Sequence, residues 1–125
     1  MPAPPAVHGP DFVALQVRDP EASASLYEDA LGLVRAPHSP PGAVVFDTRP
    51  VSFALCPPLP GVDLDAGPAG NGVALWLLTD DSAALHASLI ERGVEVVTGL
   101  GDSPFGQTFT FRDPDGYLLT IHDKA

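Results

Sequence analysis

Phe109-Thr110-Phe111-Arg112-Asp113-Pro114-Asp115-Gly116-Tyr117-Leu118-Leu119-Thr120-Ile121-His122 carries the clearest strand–turn–strand pattern in the chain. Asp-Pro-Asp-Gly has the composition of a tight turn: the first aspartate can bond back to the backbone, proline presets φ, and glycine tolerates conformations other residues resist. On both sides of it, aromatic and β-branched residues alternate with polar ones, the period of a half-buried strand. Thr108 to Arg112 and Leu118 to His122 are therefore predicted as strands joined by residues 113–116.

Working upstream, Gly93 stops a helix that Asp80 or Asp81 can cap and that reaches Arg92, with a strand over Val94 to Thr98 after it and one over Val73 to Leu77 before it. The same order occurs earlier in the chain. Phe12 to Val17 reads as a strand, and Asp19-Pro20 supplies a cap followed by proline at the first helical position. Leu26, Tyr27, Ala30 and Leu31 recur at helical spacing as far as Gly32. Strands are expected at Gly32 to Arg35, Ala43 to Asp47 and Val51 to Cys56. Even the letters Val-Ala-Leu repeat, at residues 13–15 and 73–75, which supports an internal duplication. Residues 57–71 lack periodicity and are dense in turn formers. We read one α+β domain over residues 1–125, built of two tandem βαβββ modules at 11–56 and 72–123 with 57–71 as connector.

Composition narrows the function. With 125 residues, 45% of them hydrophobic, the chain can bury a core without staples. Sixteen acidic against six basic residues give a net charge of −10, which repels nucleic acid and anionic membranes and favours cationic ligands. Cys56 is the only cysteine, so no disulfide forms within the chain. The opening Met-Pro-Ala-Pro-Pro lacks the basic and apolar regions of an export signal, and a cytoplasmic location is expected.

Phe12-Val-Ala-Leu-Gln-Val-Arg-Asp19, Ser25-Leu-Tyr-Glu-Asp-Ala-Leu-Gly-Leu33, Gly93-Val-Glu-Val-Val97 and above all Phe109 to His122 resemble the vicinal oxygen chelate superfamily of glyoxalase I, extradiol dioxygenases and bleomycin-resistance proteins. The resemblance implies modules whose strands curl into a mixed sheet with helices outside and a pocket on the concave face. In metal-dependent members that pocket holds a divalent ion on one residue from each of four strands. Those positions fall here on Phe12, Gly72, Ala54 and Thr120, which leaves the expected ligand set missing, because such an ion needs several converging oxygen or imidazole donors. A displaced site using His122 and Gln16 can be sketched from strand parity alone. No metal, cofactor or catalytic residue is assigned. A nucleophile elbow and a phosphate-binding glycine loop are also lacking, and Cys56 reads as a small buried hydrophobe.

Strand alternation places Phe12, Ala14, Gln16, Ser52, Ala54, Cys56, Gly72, Ala74, Trp76, Leu78, Thr120 and His122 on the pocket face, with Phe46, Phe105 and Tyr117 as candidate aromatics to close it. Trp76, the only tryptophan, reads either as core filling or as a flat face on which a planar ligand stacks. These features resemble the metal-free drug-binding branch of the family. That branch implies non-catalytic sequestration of an aromatic or polycyclic molecule, for which the acidic charge favours a cationic one, by a homodimer whose two chains both line each site. The alternatives are a lyase, isomerase or dioxygenase with a displaced or absent metal, and a sensor or interaction module without a small ligand.

Overall fold

In the computed structural model, which describes residues 5–124, the alternating segments become two sheets. β1 (Phe12–Gln16), β2 (Val44–Phe46) and β3 (Ser52–Cys56) form the first, in the order β1-β3-β2. β4 (Leu75–Leu78), β5 (Val96–Ser103), β6 (Gly106–Arg112) and β7 (Leu118–His122) form the second, in the order β4-β7-β6-β5. In each sheet the first strand lies parallel to the last, and the remaining pairings are antiparallel.

The two halves differ at one strand. Gly32 to Arg35 does not form the expected strand but only an isolated bridge between Arg35 and Phe46. The ladder cannot extend because Pro37, Pro40 and Pro41 follow directly and lack the N–H groups it needs. The Arg35 guanidinium turns instead to Glu21 and Glu28. β4 also starts later than expected, at Leu75, because Gly72 sits at φ +85° and Val73 closes a turn onto the Gly70 carbonyl.

Both helices begin on aspartate caps. Asp19 accepts the Ala22 N–H at 3.2 Å ahead of α1 (Pro20–Ser25), and Asp81 accepts the Ala84 N–H at 3.0 Å ahead of α2 (Ser82–Glu91). α1 runs on as one π turn, Leu26–Ala30, before Gly32. Tyr27 and Leu89 are fully buried and join the inward residues of both sheets in one core.

The inward set follows strand parity: Phe53 and Leu55 in β3, Phe109 and Phe111 in β6, Leu119 and Ile121 in β7. By the same parity Val44 and Phe46 face the core and Val45 faces out. This corrects the placement of Phe46 at the pocket. It has no exposed surface, and its ring lies against Tyr27 and Phe53 with centroids 6.1 and 6.2 Å away.

A polar seam ties the first half to the 113–116 turn. Tyr27 Oη donates to Asp113 Oδ2 at 2.8 Å, Ser23 Oγ donates to Asp115 Oδ2 at 2.8 Å, and the Arg18 N–H donates to Asp115 Oδ1 at 2.9 Å. Asp113 Oδ1 also accepts the backbone N–H groups of Asp115 and Tyr117, both at 2.9 Å. One buried carboxylate therefore shapes its own turn and anchors a helix from the other half of the chain.

Candidate functional site

The outward face of the second sheet carries an open group of rings. Register puts Trp76 opposite Thr120, Leu78 opposite His122 and Thr110 opposite Thr120, so these side chains share the face turned away from the core. Trp76 meets Phe105 on one side and His122 on the other, each with centroids 5.7 Å apart and planes at 71°. Such edge-to-face neighbours gather three rings on one sheet face, an aromatic surface of the kind planar ligands pack against. Trp76 is 46% exposed and Phe105 is 53% exposed.

The turn that carries Phe105 is built for this placement. Ser103 Oγ accepts the Phe105 N–H at 3.0 Å and donates to the Gly106 carbonyl at 2.9 Å, while the Lys124 N–H bonds the Phe105 carbonyl at 3.0 Å. Gly106 sits at φ +85°, and a Cβ there would stand 2.1 Å from Asp123 Oδ1. That carboxylate accepts the N–H groups of Gln107 at 2.9 Å and Ser82 at 3.2 Å, which hold its carboxyl below the usual carboxylate range.

On the first sheet, Phe12 pairs with Ser52, Ala14 with Ala54 and Gln16 with Cys56, again on the outward face. Phe12 is 52% exposed, whereas Ala54 is buried on the central strand between Ala14 and Val45. The Cys56 thiol lies 3.7 Å from the Leu15 carbonyl. Gln16 and Tyr117 are engaged in holding the connector side of the fold: Gln16 Oε1 accepts the Leu59 N–H at 2.8 Å, and Tyr117 Oη donates to the Gln16 carbonyl at 2.6 Å. Gly72 and Ala74 lie on the exposed approach to β4 rather than within a strand, which corrects their placement on the strand's pocket face.

Two hollows stand out among the described residues. A cleft of about 620 Å³ lies between the halves, with Leu31, Leu33, Val51, Leu75, Leu77 and Leu85 in its walls and Trp76 and His122 at its border. A smaller one of about 350 Å³ lies between the connector and Gln16 and Tyr117. Phe12, Ala14, Ser52, Thr120 and Phe105 line neither. The expected site residues thus divide between two outward sheet faces and a connector contact; of them only Trp76, Leu78 and His122 reach the cleft between the halves, and the rest of its aliphatic lining is absent from the expectation. Parity marks Leu75 and Leu77 as inward; it does not say that the opposing walls stop short of meeting.

Among the described residues no three His, Cys, Asp or Glu side chains converge as a metal site. Phe12, Gly72, Ala54 and Thr120 do not fit a divalent ion, and in the sketched His122 and Gln16 pair the glutamine oxygen is already taken by the Leu59 N–H. Asp113 is the buried carboxyl, its pKa raised by desolvation against the lowering effect of the Tyr27 hydroxyl, and each of its oxygens is occupied in the seam.

Residues 9–121 match the family described as Glyoxalase/Bleomycin resistance protein/Dioxygenase superfamily. The chain belongs to this superfamily. Its sheet orders and solved relatives agree with that assignment. TnmS3, an antibiotic binding protein from Streptomyces sp. CB03234, shares 26% identity with a TM-score of 0.75 over 96% of this chain and 98% of its own. A glyoxalase/bleomycin resistance protein from the same organism shares 27% identity and a TM-score of 0.73, covering 92% of this chain and 100% of its own. Lactoylglutathione lyase from Agrobacterium tumefaciens, at 21% identity and a TM-score of 0.66 over 97% of this chain and 96% of its own, shares the superfamily fold. The search of curated proteins returned no match.

Proposed function

We propose that this superfamily member binds a planar aromatic or polycyclic molecule, antibiotic-like, without transforming it, on the outward face around Trp76. The observation that carries the reading is the exposed indole flanked edge-on by Phe105 and His122. A face of this kind left in water is more consistent with a ligand surface than with core. The similarity to an antibiotic binding protein at 26% identity supports it, and the net charge of −10 favours a cationic ligand.

The protein acts as a cytoplasmic homodimer in this reading, consistent with its lone thiol; no helix among the described residues is long and apolar enough to cross a membrane. β1 and β4 each pair with one strand only, and neither Phe12–Gln16 nor Leu75–Leu78 carries the charge or proline that usually guards a free edge. A partner would bring its Phe12, Ala14, Ser52 and Cys56 face toward Trp76, which would explain why the expected site residues lie apart in one chain. Residues 11–56 and 72–123 serve as the two repeated units, joined by 57–71; the parallel pairing of first and last strand in each half supports this.

Isothermal calorimetry with bleomycin, mitomycin C and an anthracycline tests the reading. Saturable binding that Phe105→Ala weakens about tenfold, with folding intact, is expected. No binding by any of them, or binding indifferent to Phe105→Ala, contradicts it.

A further inference from the structure

The cleft between the halves is chemically unlike the ring-bearing face. Its walls are mainly aliphatic, formed by Leu31 and Leu33 after α1, Val51 before β3, Leu75 and Leu77 of β4 and Leu85 of α2, with Phe53 behind them and Trp76 and His122 at the border. These side chains are only partly buried, so apolar surface continuous with the core remains open to water. At about 620 Å³ the space falls in the range of ligand sites, roughly 300–1,000 Å³. An aliphatic wall rewards apolar area and offers little stacking, which selects a chain or alicyclic body over a planar one.

The polar rim specifies one end of that body. Arg49 is the only Lys or Arg bordering the cleft, in a protein with just six such residues. Its Nη1 donates to Asp47 Oδ1 and to the Thr48 carbonyl; among the described residues its Nε and Nη2 groups meet no acceptor. Nε and Nη2 form the edge that receives a carboxylate bidentately. The pair with Asp47 joins two exposed side chains and holds Arg49 weakly, so it yields to a ligand carboxylate set against the apolar wall. Thr48 does not compete as a donor, since its hydroxyl is bonded to the Val51 carbonyl.

From this geometry we infer a second ligand site, adjoining the ring-bearing face at Trp76 and His122 but not reaching Phe105: the cleft takes a medium-chain aliphatic carboxylate, its chain among the leucines and its carboxylate on Arg49. Calorimetric titration with dodecanoate, dodecanol and dodecyltrimethylammonium, each below its aggregation concentration, is the test. Dodecanoate is expected to saturate at one per chain and to bind about tenfold tighter than dodecanol. Arg49→Gln, a surface change, should abolish that advantage and leave dodecanol unaffected, and Val51→Trp should block all three. Phe105→Ala, outside the cleft, should spare dodecanoate while weakening planar ligands, so the two sites stand or fall separately. Dodecanoate that fails to bind, binds no better than dodecanol, ignores Arg49→Gln, or is outbound by the ammonium overturns the inference.

Discussion

Tyr27 and Asp113 show what a single pair of side chains contributes to joining the halves. The hydroxyl and the carboxylate are 86 positions apart in sequence and 2.8 Å apart in space, and both are buried. Tyr27→Phe keeps the ring packing but leaves a buried carboxylate one donor short. Chemical denaturation should show a loss of about 1–3 kcal/mol. The same pair gives a pH signature. Burial raises the folded pKa of Asp113 above its unfolded value, so between the two the native state holds more protons than the unfolded chain. Its contribution to stability therefore falls as pH rises through that window and is flat above it. Asp113→Asn should remove this slope; a pH dependence of stability identical in Asp113→Asn and wild type would contradict the assignment. In the sequence, Asp113 is legible as the start of a turn. Its partner is not, because no local pattern encodes which distant hydroxyl will meet it.

Among the elements, the β5–β6 turn has the sharpest sequence requirement. Alanine at Gly106 would force a left-handed backbone and push Asp123 off the N–H groups of Gln107 and Ser82. Gly106→Ala should cost about 1–3 kcal/mol in thermal or chemical unfolding and should displace Phe105 from Trp76. Helix α2 offers a milder test: Asp81→Ala removes the bond to the Ala84 N–H and should cost about 1 kcal/mol by the same assay. The elements the sequence makes legible are those with strong punctuation, namely both capped helices and the hairpin around residues 113–116. Gly32 to Arg35 fails because the prolines after it matter more than its own apolar letters. Phe46 goes inward because it shares the parity of Val44 and pairs with Phe53, both of which point into the core.

For the whole molecule, the alternation of Leu75 to Leu78 and Leu118 to His122 reveals two faces but not what covers them. The ring-bearing face around Trp76 is legible in part, since parity identifies Trp76, Thr120 and His122; Phe105 comes from a turn whose reach parity does not describe. The aliphatic cleft is not legible, being a gap between surfaces rather than a property of either. If the outward faces pair between copies, the net charge of −10 on each chain opposes association, and screening should relieve it. Sedimentation analysis should show a dimer that tightens with added salt. Leu78→Lys, at an exposed position of the open β4 edge, should yield monomer with little change in fold stability.

The most direct test is fluorescence titration of Trp76, the only tryptophan, with bleomycin, mitomycin C and an anthracycline, each with and without Zn²⁺, Ni²⁺ and Mn²⁺. Saturable quenching by at least one of them, unchanged by metals, is the expected result. Binding that appears only with a metal, or no quenching at all, would contradict a metal-independent ligand face built around Trp76.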